Sequence, residues 1–347
     1  MKNKIFLVFS LCLCLILVLF SGCETQSKDT SGSTGKLFSA GLVSDTAGIN
    51  DEAFNSSAWE GMLRSKEELG FDVRYLESRQ EADYESNLDK MTDDELDVIF
   101  AVGYRLASAI ENVASKNPDQ SYVLLDSSLE NPQENTLSIS YNDQESSFMA
   151  GVISAYMTNT NKVAMITGGE GDVINRFRFG YESGVKFGAK DLGKNIEVEV
   201  QCINSFQDDS KGKAMANAMF AKGNDIIFTV AGNVGKGVIE AAKENNKYAI
   251  GVDRDQSYLA PDNVITSVMK FVNNTIYDVC KDIKSSNFET GSSKTVGLKE
   301  GAVGLASTTD KLVPEKVITK IEDIKQRIID GDITPPFDKE SFENFKY

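Results

Sequence analysis

From residue 36 onward, short apolar runs alternate with segments in which apolar residues recur at helical spacing. Most of the runs are continuously hydrophobic, a pattern typical of parallel strands that are covered on both faces. The helical segments between them would provide that cover, as in repeated β-α-β units. The pattern predicts strands at residues 37–43, 71–77, 97–103, 122–126, 138–142, 162–168, 198–203, 225–232, 248–253 and 264–270.

The alternation of strand and helix runs twice along the chain, with a seam near residues 141–151. A chain of 347 residues, 41% of them hydrophobic, is also longer than a typical single-core domain. We therefore expect an α/β protein of two doubly wound, Rossmann-like lobes with a ligand cleft between them. Lobe one is expected at 37–146 plus about 271–294, and lobe two at 147–270 plus about 295–347.

The first 22 residues have the order of a bacterial secretory signal. Two lysines precede an apolar run over 5–20, and the small residues Ser21 and Gly22 come directly before Cys23. This order resembles the lipobox of bacterial lipoproteins, in which the cysteine is lipid-modified and becomes the first residue of the mature protein. Phe20 stands where the lipobox usually has leucine. An uncleaved membrane anchor is the alternative, although the apolar run is short for a membrane span.

Either interpretation predicts that the folded part lies at the extracytoplasmic face of the cell membrane, held there by a lipid if the lipobox is correct. Residues 24–35 contain no apolar side chain, so we expect residues 23–36 to be a lipidated cysteine and a flexible tether. Without residues 1–22 and their two lysines, 325 residues with a formal charge of −18 remain.

Two cysteines, Cys202 and Cys280, follow the predicted lipidation site. An oxidising compartment would allow them to form one disulfide. Isolated cysteines in apolar surroundings are more typical of buried free thiols, so both states stay open.

The whole chain has 36 Lys and Arg against 52 Asp and Glu, which gives a formal net charge of −16. Such an acidic chain is poorly suited to holding a nucleic-acid backbone, so no nucleic-acid partner is expected. The sequence contains no histidine, which excludes Ser-His-Asp and Cys-His catalysis and imidazole metal ligands. We expect no catalytic residue, no metal site and no cofactor.

Polar residues follow several of the predicted strands at the edge where doubly wound sheets bind ligands. The segment 44–55 follows the first strand and contains two aspartates, a glutamate, two asparagines and Phe54 around a glycine turn. Asp126 and Asp253 end two further strands. For each aspartate taken alone, a helix cap is about as good an explanation as a ligand contact. Their common position at strand ends favours one shared ligand site.

A glycine-rich turn at 231–237 follows another predicted strand. It resembles a phosphate-binding loop but lacks the spacing and the terminal Ser or Thr of a P-loop, so a plain turn is the better interpretation.

At these residues the chain resembles a known family over nearly its whole mature length. Seven segments in order, behind a lipobox, are similar to the basic membrane lipoproteins, which are purine-nucleoside-binding lipoproteins of ABC importers with the type I periplasmic-binding-protein fold. The segments are 41–55, 98–114, 139–155, 205–220, 225–242, 250–256 and 265–270.

The resemblance implies a set of ligand contacts. Phe54 from lobe one and Phe206 from lobe two would sandwich the purine, which gains both burial and stacking between two rings. The resemblance assigns Asp45, Asp253 and Lys270 to the ribose hydroxyls, and we assign Asp126 to the base edge. The complete set of expected ligand-binding residues is Asp45, Asn50, Phe54, Asn55, Asp126, Phe206, Gly232, Asp253 and Lys270.

Some of these residues could instead have structural roles that involve no ligand. Phe54 could be a core residue, and Lys270 could be a solvated residue at a strand end. Phe177 and Arg176 could reach the cleft, but their spacing also fits a helix packing face.

The resulting hypothesis is a monomeric binding protein that captures inosine, guanosine or adenosine and delivers it to an ABC permease. A nucleoside hydrolase is one alternative, because residues 45–53 have a passing likeness to the calcium-binding start of those enzymes. Ser44 and Ala47 stand where that motif needs other residues, so its metal cage would be incomplete. A surface adhesin or antigen without a small-molecule ligand is the other alternative.

Overall fold

The computed structural model describes residues 37–347, which form two six-stranded sheets with helices on both faces. The strands are β1 (Ser39–Ser44), β2 (Asp72–Glu77), β3 (Val98–Val102), β4 (Tyr122–Leu125), β5 (Thr136–Tyr141), β6 (Lys162–Thr167), β7 (Glu197–Cys202), β8 (Ile226–Val230), β9 (Tyr248–Asp253), β10 (Val264–Lys270), β11 (Ser292–Val296) and β12 (Val303–Leu305).

The two sheets share one strand order. The first runs β11-β5-β4-β3-β1-β2 and the second runs β12-β10-β9-β8-β6-β7. All pairs of the first sheet are parallel, and in the second only the short β12 pairs antiparallel, with β10. The prediction of an α/β protein with doubly wound lobes is therefore confirmed. The order reverses between β1 and β3 and again between β6 and β8, and ligands of such sheets bind at these points.

The helices are α1 (Phe54–Arg64), α2 (Asp83–Thr92), α3 (Ala107–Lys116), α4 (Asp143–Met157), α5 (Asp172–Asp191), α6 (Asp209–Ala221), α7 (Val234–Glu244), α8 (Val272–Lys284), α9 (Glu315–Ile329) and α10 (Lys339–Asn344). A turn of π-helix over Ser65–Leu69 extends α1 and ends at Gly70, whose φ of 79° is left-handed. Glycine takes this conformation at little cost, which explains why the helix ends there.

Two central helices of the second sheet, α4 and α5, approach each other through glycine. A Cβ at Gly184 would lie 2.0 Å from the carbonyl oxygen of Phe148, and one at Gly151 would lie 2.2 Å from that of Tyr181. Neither position can hold a side chain without separating the helices. This close contact fixes α5, which also supplies residues to the ligand cleft.

The chain passes between the two sheets three times, after β5, after β10 and after β11. Backbone hydrogen bonds tie these connections together, such as the amide of Asn142 to the carbonyl of Val296 and that of Phe271 to Ala302. The lobe boundaries given above stay a prediction.

The predicted signal, the lipidation site Cys23 and the tether lie outside the described residues. Within residues 37–347, no helix combines the length and the hydrophobicity that crossing a membrane requires. Cys202 and Cys280 are free thiols, so the possible disulfide between them does not form. Cys280 is buried as expected, whereas Cys202 is half-buried.

Candidate functional site

A cleft lies between the carboxyl ends of the two sheets, and the space in it outside the protein atoms, counted together with its opening to solvent, is about 490 Å³. Loops after β1, β3 and β4 of the first sheet and after β7 and β8 of the second contribute to it, together with the last residues of β9 and β10 and the start of α5. Its walls are Asp45, Ala47, Asp51, Phe54, Asn55, Gly103, Tyr104, Asp126, Val173, Ile174, Phe177, Phe206, Val230, Ala231, Gly232, Asp253 and Lys270.

Eight of the nine predicted ligand residues line this cleft. The exception is Asn50, whose side chain is exposed outside it and whose backbone carbonyl accepts a hydrogen bond from Lys236 Nζ at 2.9 Å. Asn50 follows the turn at Gly48, which directs it toward lobe two at the rim of the cleft.

The loop after β1 is organised by Asp51, which is fully buried. Its carboxylate accepts hydrogen bonds from the backbone amides of Ala53, Asn55 and Ser56 and from the side chains of Asn55 and Ser56, at 2.8–3.1 Å. Asp51 therefore caps the start of α1, where backbone amides lack partners within the helix. The cap fixes Phe54 and Asn55 at the edge of the cleft.

Asp45 is the first side chain after β1 and is half-buried in the wall of the cleft. Its Oδ1 atom accepts from the Ala47 amide at 2.9 Å and from Asn55 Nδ2 at 2.8 Å. Desolvation raises the pKa of Asp45 to about 6, against the opposing effect of these two hydrogen bonds.

Two aromatic side chains, one from each lobe, face the cleft. Phe54 begins α1 in the first lobe, and Phe206 lies in the loop after β7 in the second. Both rings are partly exposed while packed against the core. Phe54 therefore packs against the core with part of its ring and lines the cleft with the rest.

Glycines make room for the ring of Phe206. A Cβ at Gly168, just after β6, would lie 2.6 Å from Cε1 of Phe206, and one at Gly169 would lie 3.3 Å from Cε2. From the first lobe, the guanidinium of Arg105 lies 4.9 Å from the centroid of the same ring. The ring is thus held between a glycine pair of its own lobe and a cation of the other lobe.

Lys270, at the end of β10, is buried among carboxylates rather than solvated. Its Nζ atom lies 2.5 Å from Asp126 and 3.1 Å from Asp143. Asp253 lies close enough to raise the pKa of Lys270 through its charge. We call these four residues the lysine cluster. Burial alone would lower the pKa of Lys270, but the three carboxylates outweigh it and raise that pKa.

Burial acts in the opposite sense on two carboxylates of the lysine cluster. Desolvation raises the pKa of Asp143 to about 7 and that of Asp253 well above its ordinary value, although Lys270 opposes both shifts. Three acidic groups around one ammonium, with Arg176 Nε 3.7 Å from Asp143, still leave an excess of acceptors in a buried space. A ligand rich in hydrogen-bond donors would satisfy them.

Three aromatic rings also lie around the ammonium of Lys270, on the sides that the carboxylates leave open. The centroids of Phe177, Tyr141 and Phe54 lie 4.8, 5.1 and 5.3 Å from Nζ. These contacts join the lysine cluster to one of the two cleft-facing rings. Phe177 is 2% exposed and also lines the cleft. It therefore both packs on the buried face of its helix and reaches the cleft.

Two aspartates at strand ends have left-handed backbones. Asp126 follows β4 with a φ of 76°, and Asp253 ends β9 with a φ of 66°. Non-glycine residues adopt this region at a cost of about 1–3 kcal/mol, and such residues cluster at functional sites. The turn aims both carboxylates into the cleft.

At the rim, the lobes contact each other through polar groups. Arg254 pairs with Glu52 at 3.1 Å and with Glu60 at 2.5 Å, and the hydroxyl of Tyr258 donates to Glu52. Gln256 donates to the backbone carbonyl of Glu52 at 2.8 Å. We call this set the rim contacts. They join the loop after β9 to the loop after β1 and close one side of the cleft.

Sequence reasoning missed several residues of the site. Asp143, which touches Lys270, follows the strand predicted at 138–142, and that position was the available signal. Asp51 was seen as part of a polar loop without a specific role, although three small polar residues follow it closely. Gly103 and Tyr104 follow β3 beside the switch point, and their place after a buried strand was the available signal.

Comparison with known proteins gives one consistent family. A family model described as "ABC transporter substrate-binding protein PnrA-like" matches residues 38–337. A nucleoside-binding protein of an ABC transporter, BmpA of Lactococcus lactis, is 35% identical over 97% of this chain and 99% of its own. Basic membrane protein A of Borreliella burgdorferi is 35% identical over 95% and 97% of the two chains.

Other similar proteins carry other names. A CD4+ T-cell-stimulating antigen of Listeria monocytogenes is 35% identical over 94% of this chain and 98% of its own. Among solved structures, an ABC transporter solute-binding protein from Aeropyrum pernix superimposes with a TM-score of 0.80 at 28% identity, covering 88% of this chain and 96% of its own.

Proposed function

The chain belongs to the family of PnrA-like ABC transporter substrate-binding proteins, and from this premise we propose that its substrates are purine nucleosides. Proteins of this family bind a substrate for a transporter and do not convert it, so the hydrolase alternative is set aside. Inosine, guanosine and adenosine are the ligands to test. The protein would present them to the permease of an ABC importer.

The observation that carries the proposal is the pair Phe54 and Phe206, which face one cleft from opposite lobes. A flat neutral base between two rings gains stacking of about 1–3 kcal/mol for each ring, in addition to burial. The rings belong to different lobes, so a bound base would favour the arrangement in which the lobes meet.

The lysine cluster supports the ribose half of the proposal. Asp253 and Lys270 line the cleft at one end, where the carboxylate can accept from hydroxyl groups and the ammonium can donate to an oxygen. Asp126 lies beside Lys270 in the same cluster. A sugar with neighbouring hydroxyls provides the donors that these buried carboxylates lack.

The charge of the site argues against nucleotides. Asp45, Asp51, Asp126 and Asp253 all line the cleft, and Lys270 is the cation among the lining residues of the described chain. A phosphate dianion would meet net repulsion there.

Calorimetry with inosine, guanosine, adenosine and their monophosphates tests the proposal directly. We expect saturable binding of nucleosides, much weaker binding of monophosphates, and recovery of the nucleoside without release of free base. Equal affinity for the monophosphates contradicts the charge argument, and free base in the recovered ligand contradicts a binding role.

We also propose that the mature protein is held at the membrane by a lipid on Cys23. The support is the order of basic, apolar and small residues before that cysteine. A diacylglyceryl group supplies two acyl chains, which suffice for stable attachment. Cys23→Ala should release the protein or leave its precursor unprocessed, whereas a processed and membrane-retained variant overturns the lipid anchor.

A further inference from the structure

We infer that two residues of the glycine-rich turn at 231–237, Asn233 and Lys236, are positioning residues that hold the second lobe onto the first. They bind the loop after β1 and at the same time fix the backbone at Phe206. We call this pair the α7 donors. Neither of them is among the residues that line the cleft. The inference rests on the proposed function, because it concerns how long a bound nucleoside is retained.

The α7 donors are spaced to match their acceptors in the first lobe. Asn233 directly precedes α7 with helical backbone angles, and Lys236 lies in the first turn, so both share one face of the helix. Asn233 Nδ2 donates to the carbonyl oxygen of Ala47 at 3.1 Å, and Lys236 Nζ donates to that of Asn50 at 2.9 Å. Donors and acceptors are each three residues apart, so one helix turn binds one segment of the opposite loop.

The side chain of Asn233 does not serve the helix that it precedes. Asparagine at this position commonly accepts a hydrogen bond from the free amides of the first turn. Within residues 37–347, Asn233 makes no side-chain bond of that kind, and its amide group bonds to the other lobe. Helix capping therefore does not account for this asparagine.

The same turn fixes the loop that carries Phe206. The backbone amide of Asn233 donates to the carbonyl oxygen of Phe206 at 3.0 Å. Gly232 has a left-handed φ of 53°, and a Cβ added there would lie 3.1 Å from that oxygen and 3.7 Å from Cβ of Ala47. Asn233 thus contacts the loop of the first lobe with its side chain and the ring-bearing loop of the second lobe with its backbone.

Other side chains of the second lobe bind the loop after β1 in the same manner. Gln207, the residue after Phe206, donates to the carbonyl oxygen of Thr46. Gln256 donates to that of Glu52 at 2.8 Å. Backbone carbonyls need a hydrogen-bond partner when they are taken out of water. The first lobe therefore presents a row of acceptors, which the second lobe satisfies when the two lobes meet.

These contacts should act on the release of a ligand rather than on its entry. Opening of the cleft has to break them, whereas a nucleoside that enters an open cleft meets neither donor. Among variants of one binding site, such differences usually appear in the dissociation rate. The α7 donors should therefore determine how long the closed arrangement lasts.

Stopped-flow measurements with inosine on the full chain test the inference. Asn233→Ala removes the side-chain donor, and we expect the dissociation rate constant to rise about three- to tenfold while the association rate constant changes less than about twofold. Lys236→Met keeps the apolar stem and removes the ammonium, and it should raise the dissociation rate constant about two- to fivefold.

The matched control is Asn245→Ala at the other end of α7. Asn245 Nδ2 donates to Asn217 Oδ1 at 2.7 Å and to the carbonyl oxygen of Ala241 at 2.8 Å, both within the second lobe. Both rate constants should stay within about twofold of wild type, because these bonds do not depend on the other lobe. An equal rise in dissociation for Asn245→Ala and Asn233→Ala overturns the inference.

A double-variant cycle tests whether Asn233 acts through the placement of the Phe206 ring. Asn233→Ala should raise the dissociation rate constant by a smaller factor in the Phe206→Ala background than in the wild type. Equal factors in the two backgrounds contradict the inference. Denaturant unfolding of ligand-free Asn233→Ala should match the wild type, whereas a loss of stability with unchanged rate constants would mean a purely structural role.

Lys236→Met decides the outcome if Asn233→Ala fails to fold. Unchanged dissociation in the folded variants overturns the inference and leaves the proposed function intact. Absence of saturable binding of any purine nucleoside to the wild-type protein refutes the proposed function itself, and the inference falls with it.

Discussion

The two lobes have the same strand order, yet they hold their site residues in different ways. In the first lobe, the loop after β1 is fixed by its own hydrogen bonds, through Asp51 to the start of α1 and through Asn55 to Asp45. In the second lobe, the corresponding groups find partners across the cleft, as Phe206 does at Arg105 and Lys270 at Asp126.

This difference indicates that the first lobe carries a preformed half-site and the second lobe completes it when the lobes meet. Local hydrogen bonds within one loop persist whatever the other lobe does. Contacts between lobes exist only in the arrangement seen here, so a ligand that needs both halves stabilises that arrangement. The following variants separate the two kinds of contact.

The largest effect is expected for Lys270→Met, which removes the cation of the lysine cluster. Asp126 and Asp253 would lose their cationic neighbour and Asp143 would keep only Arg176, and breaking a buried ion pair typically costs about 3–5 kcal/mol of unfolding free energy at neutral pH. Denaturant unfolding measures this loss, which should shrink at pH 5.5, because the raised pKa values of Asp143 and Asp253 favour their neutral forms there. Lys213→Met is the control, because Lys213 pairs with Glu240 and Glu244 on the surface. A similar loss in both variants contradicts the role of burial.

Asp51→Asn tests the preformed half-site and should lower the unfolding free energy by about 2–3 kcal/mol, because an amide nitrogen would face donors that now bind a carboxylate. The control is Asp83→Asn, since Asp83 accepts from backbone amides near a helix start but is only half-buried. We expect little change there. If Asp51→Asn is as stable as wild type by thermal unfolding, the loop does not depend on this cap.

Phe54→Ala and Phe206→Ala should each weaken nucleoside binding by about 1–3 kcal/mol, which is roughly tenfold or more. Ligand-free stability should change little, because both rings are partly exposed. Calorimetry and thermal melting of each variant measure the two quantities. Phe288→Ala serves as control, since Phe288 packs on the core away from the cleft. A large loss of stability with unchanged affinity at Phe206 would mean a packing role and remove the sandwich.

The double variant of the two rings should lose less affinity than the sum of the single losses. Removing one ring already loosens the contact between lobes, and both rings act through the same ligand. Additive losses would indicate that the lobes contribute independently.

The ligand-free protein should be more stable at pH 5.5 than at pH 7.5. The raised pKa values of Asp45 and Asp143 mean that the folded state holds protons that the unfolded state has released between about pH 4 and 7. Stability therefore falls as the pH rises through this window. We expect a difference of a few degrees in the melting temperature, and Asp143→Asn should reduce it. A melting temperature that rises steadily to pH 7.5 contradicts these shifts.

The smallest effect is expected for Arg254→Ala at the rim. The rim contacts close one side of the cleft but are partly exposed, so their loss should raise the dissociation rate of a nucleoside about two- to fivefold with little change in the association rate. Stopped-flow measurements test this. Arg74→Ala is the control, because Arg74 pairs with Asp72 and Asp94 within the first lobe. If both variants change the dissociation rate equally, the rim contacts do not help to retain the bound nucleoside.

Much of the fold could be predicted because each strand and helix carries its own signal. The apolar runs predicted β1 to β10 within a few residues. The segments after residue 270 were assigned to lobes without elements, since β11 and β12 are short and their positions depend on partners distant in sequence. Asn50 was placed among the ligand residues by its neighbours in sequence, and the turn at Gly48 directs it elsewhere.

The sequence by itself determined the two doubly wound lobes and the edge of the sheets where the cleft lies. These follow from local hydrophobic patterns and from the rule that parallel strands present their carboxyl ends on one edge. Together with the family resemblance, the sequence also indicated eight of the residues that line the cleft, about half of the set. The tertiary structure alone decided that Asp143 touches Lys270 and that Arg105 stacks on Phe206. These facts depend on distances between residues far apart in the chain, which set the burial and charge around each group and which no local pattern records.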